Sequence, residues 1–192
     1  MHHLILASAS PQRRRLFEGL GVPFTVVPSA IDEAACKETD PLMRAQILAR
    51  LKAEDVAERH PDAWVIGCDT LVVSPQGKVL EKPRDAAEAR VMLREQSGGI
   101  SLVHSALALL SPASTRHEGI STSRVRFRPL TPEHLDWWIG TGLWEGRSGS
   151  FQIEGPGQLM IDHLEGDWSG VVGLPVSLLG ELAHAARMPY FM

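Results

Sequence analysis

Apolar positions recur along the chain with two periods, and the switches between them predict alternating strands and helices. Residues 4–7, Leu-Ile-Leu-Ala, form a short apolar run that reads as a strand. Ser10-Pro11 then opens a helix, with Ser10 as N-cap and Pro11 at the first helical position, where the N–H it lacks would have no helical partner. Leu16, Phe17 and Leu20 keep the helical spacing, and Gly19 and Gly21 can end it. Residues 24–27 predict a second strand. Asp40-Pro41 repeats the cap-plus-proline start, and Ile47, Leu48, Leu51 and Val56 mark a helix reaching about Glu58.

Residues 64–73 form a run rich in Val, Ile and Thr that predicts a buried strand carrying one polar residue, Asp69. A turn at Pro75-Gln76-Gly77 leads to a short strand over 78–80, and a helix over 85–96 stops at Ser97-Gly98-Gly99. Strands are predicted over 100–110 and 120–128, the second alternating Val125 and Phe127 against Arg124, Arg126 and Arg128 as a solvated face. Thr131-Pro132 caps another helix ending near Gly140. The five glycines of 142–158 predict a loop-rich segment around a short strand, and the last helix follows Gly173-Leu174-Pro175. Alternating helices and strands give an α/β class with a mixed sheet.

Composition narrows this picture. At 192 residues the chain is about 1.3 typical domain lengths, which favours one domain over 1–192. Hydrophobic residues at 44% and charged residues at 22% exclude a disordered tail, a collagen-like repeat and a disulfide scaffold. No run of about eighteen apolar residues occurs, so no membrane partner is expected. The opening residues lack the basic and apolar regions of a secretory signal, and a cytoplasmic location is expected. Cys36 and Cys68, far apart and outside any CxxC spacing, fit free thiols. A net charge of -4 argues against nucleic acid as a partner, since neutralising many phosphates needs a basic surface. The eight histidines form no metal-binding spacing.

Several places carry candidate chemistry. Ser8-Ala9-Ser10-Pro11-Gln12-Arg13-Arg14-Arg15 joins a strand end to a helix start, where free N–H groups, the helix dipole and arginine forks attract a phosphate; an ordinary capped helix with a basic first turn has the same pattern. Asp69 is a carboxylate in a run suited to a sheet interior, so it needs a cation, a metal or several donors, and it could serve as general base or hold a divalent ion. Lys82, beside Pro83 in Glu81-Lys82-Pro83-Arg84, and Lys52 could each bring a point charge to a phosphate, although most lysines are surface residues. Asp32-Glu33 could bind metal or cap a turn.

Taken in order, these pieces resemble the Maf family of nucleoside triphosphate pyrophosphatases. The matching stretches are residues 4–14, Asp32-Glu33, Leu48-Ala49-Arg50-Leu51-Lys52-Ala53, Gly67-Cys68-Asp69-Thr70, Glu81-Lys82-Pro83, Ser97-Gly98, residues 149–155 and Val172-Gly173-Leu174-Pro175. The resemblance covers essentially the whole chain. It implies a Maf/ITPase-like fold, a single domain with a long curved mixed sheet and two lobes around a central cleft. It also implies divalent-metal-dependent (Mg or Mn) hydrolysis of a nucleoside triphosphate to monophosphate and pyrophosphate, and is compatible with a homodimer. On this resemblance Asp69 is the catalytic base, Ser8, Arg13, Lys52 and Lys82 surround the phosphates, Glu33 is a further acidic site residue, and Asp69 and Glu33 are the candidate metal ligands. A non-catalytic cell-division (septum) regulator is the rival class.

Specificity residues give a mixed signature. Gln12 stands where family members similar to the dTTP/UTP enzymes have arginine. Glu154, in Gly149-Ser150-Phe151-Gln152-Ile153-Glu154-Gly155, stands where they have glutamine, as in the 7-methyl-GTP branch. Thr70 points the other way, since that branch tends to have glutamine there. A carboxylate only accepts hydrogen bonds, so Glu154 would pair with the two adjacent donors of guanine and repel the carbonyl oxygens of uracil or thymine. A guanine-type, N7-methylated substrate is therefore expected, with a dTTP/UTP preference as the alternative.

Overall fold

A computed structural model describes residues 3–191. Its seven strands and six α-helices run in the order β1 (His3–Ala7), α1 (Pro11–Glu18), β2 (Thr25–Val26), α2 (Pro41–Arg59), β3 (Ala63–Val73), β4 (Val79–Leu80), α3 (Ala86–Gln96), β5 (Ile100–Leu110), β6 (Arg116–Phe127), α4 (Pro132–Gly140), β7 (Ile161–Glu165), α5 (Trp168–Val172) and α6 (Val176–Ala185). The strands form one mixed sheet ordered β2-β1-β3-β5-β6-β7, with β4 paired to β3. β1 runs parallel to both β2 and β3, with Ala7 opposite Gly67, whereas β4 and β7 pair antiparallel. The α/β class and the mixed sheet agree with the sequence pattern.

The helix starts follow the caps. Ser10 Oγ accepts from the Arg13 N–H, Asp40 from Met43, Asp85 from Glu88 and Thr131 from His134, each supplying an acceptor to a helix-end N–H that has none within the helix. No helix of the described residues is long and apolar enough to cross a membrane. Both cysteines are free thiols. Met1 and His2, the first of the residues on which the expectation of no secretory signal rests, lie outside the described residues.

The chain gathers into two compact units, and β3, β5 and β6 contribute residues to both. One unit comprises residues 3–69, Ser105–Ser121 and residues 173–191; its core packs Leu4, Leu6, Phe17, Trp64, Ile66 and Leu179. The other comprises Thr70–His104 and Thr122–Val172, around Val72, Leu93, Val125, Phe127, Trp138 and Phe151.

Four elements depart from the sequence expectation. β6 begins at Arg116, ahead of the predicted 120, because its first residues pair through the backbone while their polar side chains stay half-exposed, leaving no apolar alternation to read. β7 lies at the edge of the sheet and is mostly polar, and neither it nor the short α5 was expected. The short strand expected within 142–158 is absent: two tight 3-10 turns, Ser148–Ser150 and Gly155–Met160, occupy the segment. Gly149 (φ 70°), Ser150 (φ 61°) and Gly155 (φ 54°) adopt left-handed backbone there, which no strand ladder accommodates.

Candidate active site

The buried stripe of α2 runs through Ala45, Leu48, Ala49, Lys52, Ala53 and Val56, so Lys52 projects from the helix face that the apolar residues turn inward. Facing that stripe, β3 has a glycine at 67. A Cβ there would lie 2.1 Å from the Ala49 carbonyl oxygen and 2.8 Å from the Ala53 Cβ, so only glycine lets α2 sit this close to β3. Two residues further along β3, Asp69 is 5% exposed. The Lys52 ammonium donates to Asp69 Oδ1 at 2.6 Å and pairs with Glu33 Oε1 at 2.9 Å. One buried cation thus bridges two carboxylates, and Asp69's charge is compensated as burial requires.

Glu33 reaches Lys52 from a single 3-10 turn, Glu33–Ala35, capped by Asp32 through the Ala34 N–H. Asp32 is therefore a turn cap, one of the two roles the sequence left open, while its neighbour faces the site. The preceding loop is pinned to α2: Asp55 accepts from the Ala30 N–H at 3.0 Å and pairs with Arg59, which also donates to the Pro28 carbonyl. The Ala30 N–H, followed by Arg59, holds the Asp55 carboxyl below the usual carboxylate range. A depressed folded-state value contributes stability above the unfolded carboxylate pKa that is lost as pH falls through the folded one. Thermal unfolding across about pH 3–6 should therefore show a smaller acid-side decline for Asp55→Asn than for wild type; identical profiles would remove this clamp.

At the start of α1, Ser8 is buried and its Oγ accepts from the Ser10 N–H and from Arg13 Nη1. Arg13 Nε donates to the Gly173 carbonyl at 2.8 Å, and the buried Cys68 thiol donates to the same oxygen at 3.0 Å. Burial pushes the Cys68 thiol pKa up, against the opposing pull of Arg13, which keeps the sulfur a hydrogen-bond donor. Cys68 also feels the charges of Asp69 and Lys52, so the Arg13 and Lys52 clusters flank one short stretch of β3. Gln12 accepts from the Ser10 hydroxyl at 3.0 Å.

The remaining sequence-predicted residues belong to the other compact unit. Thr70 follows Asp69 directly and is half-buried, Lys82 is exposed between β4 and α3, and Glu154 is half-buried in the glycine-rich segment. Arg124, Arg126 and Arg128 are exposed, as expected of a solvated strand face, and the first two pair with Glu165 and Asp162. Gly67, Cys68 and Gly173 appear in the sequence only as parts of motifs; their roles in bringing Lys52 and Arg13 into place are tertiary. Lys52 itself had a readable signal, its place in the i, i+4 stripe with Leu48 and Val56.

Among the described residues, no group of three or more His, Cys, Asp or Glu side chains is arranged to hold a metal. The donor set nevertheless suits a hard divalent ion that arrives with its substrate. Asp69 Oδ2 is buried without a hydrogen-bond partner, and magnesium is commonly held by one or two carboxylates together with substrate phosphates.

A buried aspartate paired with an inward lysine, and an arginine held beside the neighbouring Cys68 through the Gly173 carbonyl, gather charges suited to a phosphorylated ligand. The family model described as Maf-like protein matches residues 3–186, and the chain belongs to that family. It is 42% identical over 188 residues to a dTTP/UTP pyrophosphatase of Deinococcus radiodurans, covering 98% of this chain and 95% of that protein. It is 37% identical over 190 residues to a dTTP/UTP pyrophosphatase of Pyrococcus furiosus, covering 97% and 98% respectively. A crystal structure of a nucleoside-triphosphatase / dITP/XTP pyrophosphatase from Mycobacterium abscessus matches with a TM-score of 0.42 at 16% identity, over 73% of this chain and 95% of that one.

Proposed function

We propose that the protein is a nucleoside triphosphate pyrophosphatase, a hydrolase acting on acid anhydrides, that cleaves dTTP or UTP between the α and β phosphates to give the monophosphate and pyrophosphate. The observation that carries this reading is Asp69: one carboxylate oxygen is fixed by Lys52, and the other is buried and unpartnered. An oxygen in that condition is placed to take the proton of an attacking water. The water oxygen bonds to phosphorus as the bond to the pyrophosphate oxygen breaks, and the water proton passes to Asp69. Lys52 offsets charge at Asp69, while Arg13, its Nε held by the Gly173 carbonyl, presents its guanidinium to phosphate oxygens beside Ser8. Lys82, an exposed lysine of the other unit, is assigned to the triphosphate by the family resemblance alone.

Glu33, which meets the Asp69 carboxylate on Lys52, would hold a magnesium or manganese ion together with the substrate phosphates, which when bound would neutralise charge on the leaving pyrophosphate. The names of the relatives favour the pyrimidine alternative over the guanine-type ligand expected from Glu154, and Thr70 agrees with them. Incubation of the purified protein with magnesium or manganese and a panel of dTTP, UTP, CTP, GTP and 7-methyl-GTP tests the reading by product identity. Monophosphate plus pyrophosphate, fastest from dTTP or UTP, is the expected result. Release of orthophosphate, or no turnover of any triphosphate, would overturn it.

A further inference from the structure

Successive side chains of β3 point to opposite faces of the sheet, and around residues 67–69 the two faces carry different chemistry. Gly67 and Asp69 lie on the face that α2 covers, where Lys52 meets the carboxylate. Cys68 lies on the other face. It is fully buried, packed with Leu6, Phe17, Ile66, Leu107 and Leu174 in the core of the same compact unit. β1 stops at Ala7, opposite Gly67, so Cys68 and Asp69 are level with the turn that leads through Ser8 into α1 and Arg13. In that apolar company a thiol packs as a small hydrophobe, but its S–H is also a donor, and here it is used.

The Cys68 thiol donates to the Gly173 carbonyl at 3.0 Å, and Arg13 Nε donates to the same oxygen at 2.8 Å. One carbonyl oxygen has two lone pairs and accommodates both donors. Gly173 sits at φ 131°, backbone that favours glycine, and the peptide has no side chain of its own to hold it. Its two donors fix where the oxygen points. Arg13 Nη1 also donates to Ser8 Oγ at 3.4 Å, so the guanidinium is held from two separate segments of the chain. A long side chain otherwise samples many rotamers, and each bond that orders it in the free protein lowers the entropy lost when it grips a ligand. The next residue of β3, Asp69, carries a buried oxygen without a hydrogen-bond partner, which independently marks this end of the strand as the place for a ligand.

We infer that Cys68 is a positioning residue for the phosphate contact: its thiol, acting through the Gly173 carbonyl, aims the Arg13 guanidinium at the triphosphate. The inference rests on the function proposed above, which assigns Arg13 to the phosphates, and adds the group that orients it. Cys68 itself touches no substrate and performs no covalent step. Its contribution is the order of Arg13 before the nucleotide arrives, so losing it should weaken binding of the triphosphate and leave the proton transfer at Asp69 in place. Such a loss appears in KM while kcat is kept.

The test is a double-mutant cycle, with kcat and KM measured on dTTP or UTP and unfolding temperatures recorded for each variant. Cys68→Ala and the larger Cys68→Val both lack a donor, and each should lower kcat/KM by about 3- to 10-fold, through KM, as expected for one hydrogen bond. Cys68→Ser keeps a donor and should stay within about twofold of wild type. In an Arg13→Ala background, Cys68→Ala should change kcat/KM by less than about twofold, because there is no guanidinium left to orient. An equal fall in both backgrounds would overturn the inference, since it marks a packing effect; so would Cys68→Ser as impaired as Cys68→Ala, a fall confined to kcat, or donor-free variants that match wild type. Each of these leaves the pyrophosphatase reading standing. Wild-type protein that converts no triphosphate to monophosphate and pyrophosphate removes that reading and the role of Cys68 with it.

Discussion

Asp69→Asn is expected to lower kcat for triphosphate hydrolysis by about 100- to 10,000-fold, the span associated with loss of a general base, with the fold intact. The amide matches the carboxylate in size, and its Oδ1 can still accept from Lys52, whose charge is also met by Glu33. What disappears is the proton acceptor at the second oxygen, which has no other partner in the structure. Because the substitution removes a buried charge and preserves the hydrogen bond, the change in stability should stay within about 1–2 kcal/mol. Steady-state rates and thermal unfolding on the same preparation separate chemistry from folding. Wild-type turnover by the Asn variant would remove Asp69 as the general base and place that role on another group.

Gly67→Ala is expected to act on stability and activity together. The added methyl group lands 2.1 Å from the Ala49 carbonyl oxygen and 2.7 Å from the Ala53 nitrogen, both backbone atoms of α2, so no side-chain rotation relieves the overlap. The helix has to shift, and Lys52, one turn from Ala49, shifts with it. Overpacking of this kind costs about 3 kcal/mol, or roughly 6–12 °C in unfolding temperature for a chain of this size. Displacing Lys52 leaves Asp69 a buried charge without its cation, so kcat/KM should fall at least about tenfold below the wild-type value even well under the unfolding temperature. Gly140→Ala is the matched control: no atom lies within 4 Å of its added Cβ, and helix propensity favours alanine by up to about 1 kcal/mol. Equal behaviour of the two variants would show that close packing of α2 on β3 does not set the site.

Much of the fold was legible because proline and cap residues punctuate the chain. Ser10-Pro11, Asp40-Pro41 and Thr131-Pro132 each start a helix where the local rules place one. The parts that escaped were those without an apolar rhythm: the polar beginning of β6, the edge strand β7, and the 3-10 turns of 148–160. An edge strand pairs through its backbone and leaves its side chains to solvent, so its sequence carries little trace of the pairing. The site divided in the same way. Asp69 stood out as a charge in a buried run, whereas the carbonyl of Gly173 that holds Arg13 lies 160 residues further along the chain.

By itself the amino-acid sequence determined the α/β class, the helix starts, the family and the candidate site residues, because caps, periodicity and motif order are properties of neighbouring residues. Tertiary structure decided which of those residues meet: Lys52 on Asp69 and Glu33, and Arg13 and Cys68 on one carbonyl. Those pairings depend on a helix resting against a glycine and on buried polar groups finding partners far along the chain, and local sequence contains neither distance.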